Sequence, residues 1–120
     1  MGVLDRMRRW RAPETPAEED RLALRQLVGR GADLARPRRI VHLLTAPDEE
    51  RAQAAAAAAR ALGYESALQP PSTEGGAWTI RASDERVVAP DTVGAFRAAF
   101  ERLAADTGTR YEGWEAAPTP

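Results

Sequence analysis

His42 is the only histidine in the 120-residue chain. A hydrolase of the Ser-His-Asp kind needs such a base beside a positioned nucleophile. His42 instead lies inside the apolar run Ile40-Val41-His42-Leu43-Leu44. The plainer reading is a core histidine bonded to a neighbour, because buried polar groups are paired as a rule. One histidine in a chain without cysteine is also a poor start for a zinc site. Carboxylates gather at Glu18, Glu19 and Asp20, at Asp48, Glu49 and Glu50, and at Glu112 and Glu115. The first two groups fall at expected helix starts, where capping and the helix dipole account for them. The last pair falls on an expected strand, whose alternation would send the two to opposite faces. Three large side chains are left: Trp78, Tyr111 and Trp114. Such residues are enriched in interface hot spots, and equally they fill cores.

Those residues need elements to position them. "TPAEEDRLALRQLVGRGADL" reads as a helix from Thr15, with Pro16 at its first position and Glu18 completing a capping box. Gly29 and Gly31 supply its stop. "RRIVHLLTA" reads as a strand apolar on both faces, hence central and covered on both sides, with the first helix over one of them. "PDEERAQAAAAAARALG" is a second helix that begins at Pro47 and its acids and ends at Gly63. "YESALQ" and "AWTIRAS" are two further strands, separated by the turn-rich "PPSTEGG". "DER" is expected to turn toward a short extension at Val87 and Val88. "PDTVGAFRAAFERLAADTG" is a third helix, with Val93, Phe96, Phe100, Leu103 and Ala104 as its core stripe. "TRYEGWEAA" closes the chain as a strand. By alternation Tyr111 and Trp114 take opposite faces, and Gly113 marks a bulge or a close backbone approach.

Leaving the first helix aside, the order β-α-β-β-α-β is that of the ferredoxin-like fold. The expected class is α+β, with a four-stranded antiparallel sheet, an extra N-terminal helix and the last strand beside the first. The expected domain runs over 15–117, after a flexible basic arm at 1–14 and before a tail at 118–120. RNA-binding modules of this order stack bases on aromatics of the two central strands. Here the first strand has none and the third has only Trp78.

Composition narrows the classes further. Net charge is −1, so any affinity for polyanions would be local. Arg6, Arg8, Arg9 and Arg11 in the arm are the candidates for direct RNA contact. No cysteine and no lysine means no disulfide, no thiol nucleophile, no Schiff base and no P-loop lysine. No apolar run approaches bilayer length, and the opening "MGVLDRMRRWR" carries no secretory signal. A cytoplasmic location fits these features. No cofactor or metal is implied, and the chain reads as a binding module rather than an enzyme.

The chain resembles the regulator of ribonuclease E activity B family, also called ribonuclease E inhibitor B, over roughly residues 20 to 115. The resemblance rests on "DRLALRQLVGRGADLARPRRIVHLL", on the Ala-rich helix ending "ALGY" and above all on "YEGWEA". The family's positions fall on Asp20, Gly31, Asp33, Leu34, Pro37, Arg38, His42, Tyr111, Glu112, Gly113 and Trp114. Glu112 stands where the family motif has aspartate. The resemblance implies a ferredoxin-like sandwich and a non-catalytic protein that binds the endoribonuclease and lowers its activity. On that basis Trp78, Tyr111, Glu112, Trp114 and Glu115 are the candidate partner-binding residues. Asp20, Asp33, Arg38, His42 and Gly113 are the candidate structural residues of the motif. The alternative is a small α+β module, monomer or dimer, for another protein or a small ligand.

Overall fold

The computed structural model describes residues 15–118, and the side chain of Pro16 is outside that description. The expected basic arm at 1–14 and the last two residues of the expected tail lie outside the described residues.

Helix α1 (Pro16–Gly29) starts where Thr15 Oγ1 accepts the Glu18 amide at 3.2 Å. It ends through Gly31, whose φ of +87° suits a residue without Cβ. Strand β1 (Pro37–Ala46) follows, then helix α2 (Glu49–Ala61), capped by the Asp48 carboxylate on the Arg51 amide at 2.9 Å. Strands β2 (Glu65–Gln69) and β3 (Trp78–Val87) form the middle of the chain. Helix α3 (Pro90–Thr107) ends at left-handed Gly108, and strand β4 (Arg110–Ala116) finishes the sheet. The Thr92 hydroxyl, accepting from the Ala89 amide at 3.0 Å and donating to the Val87 carbonyl at 2.8 Å, pins the start of α3 to the end of β3.

The sheet order is β2-β3-β1-β4, antiparallel throughout. This is an α+β fold with the ferredoxin-like arrangement and an extra N-terminal helix. Ile40, His42, Leu44 and Ala46 of β1 meet Ile80 and Ala82 of β3 on one face, under α2 and α3. Ala52, Ala55, Ala56 and Ala59 of α2 are completely buried, so the alanine run lets that helix sit close on the sheet.

Two expectations are corrected here. First, α1 does not cover the second face of β1. It packs on α3 and the β4 side of the helix layer, where Leu24 and Leu27 join the core. Among the described residues no helix covers the opposite face of the sheet: Val41, Leu43 and Thr45 are half-buried, and Arg39, Arg81 and Glu85 are exposed. Second, Asp84-Glu85-Arg86 is not a turn but the continuation of β3, paired with Ile40, Arg39 and Arg38. The strand outruns α2 at this end, so its helix-side residues can be polar. The Arg86 Nε donates to the Asp84 carboxylate at 2.9 Å and its Nη2 to the Leu62 carbonyl at 2.9 Å. The same guanidinium lies 4.0 Å from the centre of the Tyr64 ring. That hydrogen bond holds the Asp84 carboxyl below its usual pKa.

Candidate partner-binding site

The site is built around a bulge. Leu43 pairs with Gly113 and Leu44 with Tyr111, so Glu112 is the extra residue on β4. Gly113 has a φ of +116°, which an L side chain adopts only under strain. The extra residue breaks the two-residue period. Trp114 therefore pairs with His42 on the helix side, where Tyr111 also points. The alternation that sent these two rings to opposite faces is overturned, and with it the separation of Glu112 from Glu115. Glu112 bonds Thr45 and Glu115 pairs with Val41, so both belong to the open face.

On the helix side the motif is tied down group by group. The Trp114 indole donates to Asp20 Oδ1 at 2.8 Å. Arg97 of α3 donates to both oxygens of Asp20, each at 2.9 Å. Planar bidentate pairing of this kind is strong and directional. Both side chains are nearly buried, at 13% and 10% exposure, and the pairing raises the pKa of Arg97 further. The Arg97 guanidinium also lies 5.3 Å from the centre of the Tyr111 ring. One carboxylate on α1 thus joins α3 and β4. Asp20 owes its place to the apolar side of α1: it lies four residues before Leu24, so it faces inward with it.

Tyr111 carries the network into the core. Its hydroxyl lies 2.7 Å from Nδ1 of His42, which is completely buried. The imidazole stacks on Phe100 at 4.0 Å and meets Tyr64 and Phe96 edge to face. Burial, aided by the charges of Arg86 and Arg97, lowers its pKa from 6.5 to about 3. The ring is therefore neutral at physiological pH, and its Nε2 has no hydrogen-bond partner among the described residues. Burial likewise raises the pKa of the Tyr111 hydroxyl.

A second tie holds the far end of β4. Arg38 is buried and donates to the carbonyls of Asp33 and of Ala117, the latter at 3.0 Å. Asp33 is exposed and accepts the Ala35 amide at 3.0 Å, which shapes the loop before β1. Of the other candidates, Trp78 opens β3 opposite Ala46 and packs half-buried against the core. Trp114 is also half-buried, while Glu112 and Glu115 are exposed. Trp114, Glu115 and Ala116 form one wall of a cleft of about 250 Å³, and Ala23, Gln26, Leu27 and Arg30 of α1 form the other.

Arg97 is absent from the residues that the motif marks, although its position carries a signal. It falls four residues after Val93 and three before Phe100, beside the apolar stripe of α3, where a charge demands a partner. Among the described residues no group of three His, Asp or Glu side chains could hold a metal ion. No helix there is long and apolar enough to cross a membrane.

The family described as "Regulator of ribonuclease activity B" matches residues 17–116. The chain belongs to that family. No curated protein matches the chain. The matched span begins in the first turn of α1 and ends with the last residue of β4. It therefore includes every residue of the Asp20–Arg97–Trp114 junction and of the His42–Tyr111 pair. In this member of the regulator family, the terminal motif holds the last strand in place on one side. On the other side it leaves two carboxylates in solvent.

Proposed function

We propose that this protein is a non-catalytic cytoplasmic regulator that binds an endoribonuclease of the ribonuclease E type and lowers its activity, thereby slowing RNA decay. The observation that carries this reading is family membership over residues 17–116. The chemistry of the site supports it. Asp20, Arg97, Tyr111 and His42 are the groups best suited to acid–base work, and each is bonded to another of them. The contact with the nuclease runs along the β4 margin. Glu112 and Glu115 are its charged groups, and the half-buried Trp114 edge is its apolar one. Tyr111 supports that surface from behind through its bond to His42, and Trp78 lies on the far side of β1 from it.

The test is cleavage of a fluorogenic RNA by a purified endoribonuclease of that type, titrated with the full chain. Inhibition that saturates near equimolar protein is expected, and a Glu112→Arg, Glu115→Arg variant should need at least about tenfold more. Cleavage unchanged at saturating protein would overturn the reading.

A further inference from the structure

Helix α1 has a second groove, on the side away from β4. Arg21, Leu24, Arg25 and Val28 form one wall, and Leu34 and Pro90 form the other, around about 480 Å³. Its floor is apolar. Val28 is 54% exposed, the most exposed of the chain's large hydrophobic side chains among the described residues. Its rim is cationic. Arg21 and Arg25, one turn apart on the same face, are exposed and form no ion pair among the described residues. Other arginines near the fold's junctions are engaged: Arg97 with Asp20, Arg86 with Asp84, Arg51 with Asp48. An apolar trough bordered by two guanidinium groups with no ion pair among the described residues is complementary to an apolar side chain flanked by carboxylates.

We propose that this groove is a docking site for a short acidic segment of a partner protein. One or two aliphatic side chains would sit on Leu24, Val28, Leu34 and Pro90, and carboxylates would pair with Arg21 and Arg25. The chain's own first residues fit it poorly. They offer Val3, Met7 and Trp10, but also Arg6, Arg8, Arg9 and Arg11, which would face Arg21 and Arg25 with like charge. The acidic start of α2 in a second copy fits poorly too, since two of its three acids are in use. Asp48 caps its own helix and pairs with Arg51, and Glu49 accepts from Gln53 at 3.1 Å. The proposal stands apart from the ribonuclease reading, because the groove and the β4 margin lie on different sides of α1.

Fluorescence polarisation with the full chain provides the test. The probes are labelled peptides of about 12 residues: one of Glu and Leu with leucines four apart, one with Lys for Glu, and one with Ala for Leu. The Glu-Leu peptide should bind, and should weaken as salt rises. Arg21→Glu with Arg25→Glu should cost at least about tenfold, and Val28→Asp a similar amount. The Lys-Leu peptide should bind only the charge-reversed variant. All three positions are exposed, and an unchanged melting temperature shows that the variants fold. Several results would overturn the proposal. One is no binding of the Glu-Leu peptide. Another is binding that the variants leave intact, and a third is equal binding of the Ala peptide. A dimer in light scattering that Val28→Asp dissolves would make a second copy the occupant. Much tighter peptide binding after deletion of residues 1–14 would make the chain's own arm the occupant.

Discussion

The two sides of β4 use one seven-residue motif in opposite ways. Toward the helices, Tyr111 and Trp114 are bonded to His42 and Asp20, and their rings pack on the core. Toward the open face, Glu112 meets Thr45 at 2.8 Å and Arg110 at 3.6 Å, and Glu115 is exposed. The first side gives stability and the second is free to give recognition. The division depends on the bulge: without it, one ring and one carboxylate would fall on each side. Variants can therefore be ranked by how deeply they cut into the tied side.

The largest effect is expected at Asp20. Asp20→Ala leaves the nearly buried Arg97 guanidinium with the half-exposed Glu19, 3.9 Å away, as its remaining carboxylate among the described residues, and leaves the Trp114 indole without its acceptor. Removing one partner of a buried ion pair costs about 3–5 kcal/mol. Urea unfolding should show that loss at pH 7. A cost below about 1 kcal/mol would mean that the junction is solvated and that the contrast between the two sides is false.

The next effect is a dependence on pH. The folded pKa of His42 is about 3, against 6.5 for a free imidazole. Between those values the unfolded chain binds a proton that the folded chain does not. Stability is therefore complete above about pH 6.5 and declines as pH falls toward 3, by up to about 1.4 kcal/mol per pH unit. His42→Asn should lower stability throughout but flatten this slope between pH 6.5 and the carboxylate range. The same slope in both proteins would show that the imidazole takes up a proton in the fold. Tyr111→Phe removes the hydrogen bond to that ring and should cost about 1–3 kcal/mol.

Gly113→Ala tests the hinge of the division. The new Cβ would meet Glu19 Oε1 at 3.4 Å, which is ordinary contact, so the cost comes from φ of +116° alone. About 1–2 kcal/mol is expected. A neutral result would mean that the strand can drop its bulge. Tyr111 and Trp114 would then no longer share a face.

These contrasts also show what the sequence could reveal. Apolar periodicity and punctuation were enough for the order of elements, since each helix stripe and each strand is a local pattern. The bulge left only a glycine as its mark, because an extra residue changes pairing rather than composition. Plain alternation therefore puts Tyr111 and Trp114 on opposite faces, whereas the bulge at Gly113 brings both to the helix side. The extension of β3 was hidden in Asp84-Glu85-Arg86. Three charged residues look like a turn unless it is known that the strand outruns its helix. The partnership of Asp20 with Arg97 spans 77 positions, and no local pattern encodes it. Likewise, an apolar first strand suggests two covered faces, whereas no helix among the described residues lies over the half-buried Val41 and Leu43.

The smallest expected effect on stability is the most informative about function. Glu112 and Glu115 are exposed, and the Arg110–Glu112 pair at 3.6 Å involves an arginine that is 82% exposed. Exposed pairs of this kind contribute little, so Glu112→Ala with Glu115→Ala should change stability by less than about 0.5 kcal/mol. If the open side is the recognition side, the same double variant should weaken inhibition of the nuclease. Asp20→Asn should do the reverse, because Asp20 and Arg97 lie behind the contact. It should lower the melting temperature while inhibition by the folded fraction survives. The two measurements together separate the roles. Inhibition lost with Asp20→Asn at a temperature where the protein is folded would move recognition to the helix side. Inhibition retained by the double carboxylate variant would remove Glu112 and Glu115 from the contact.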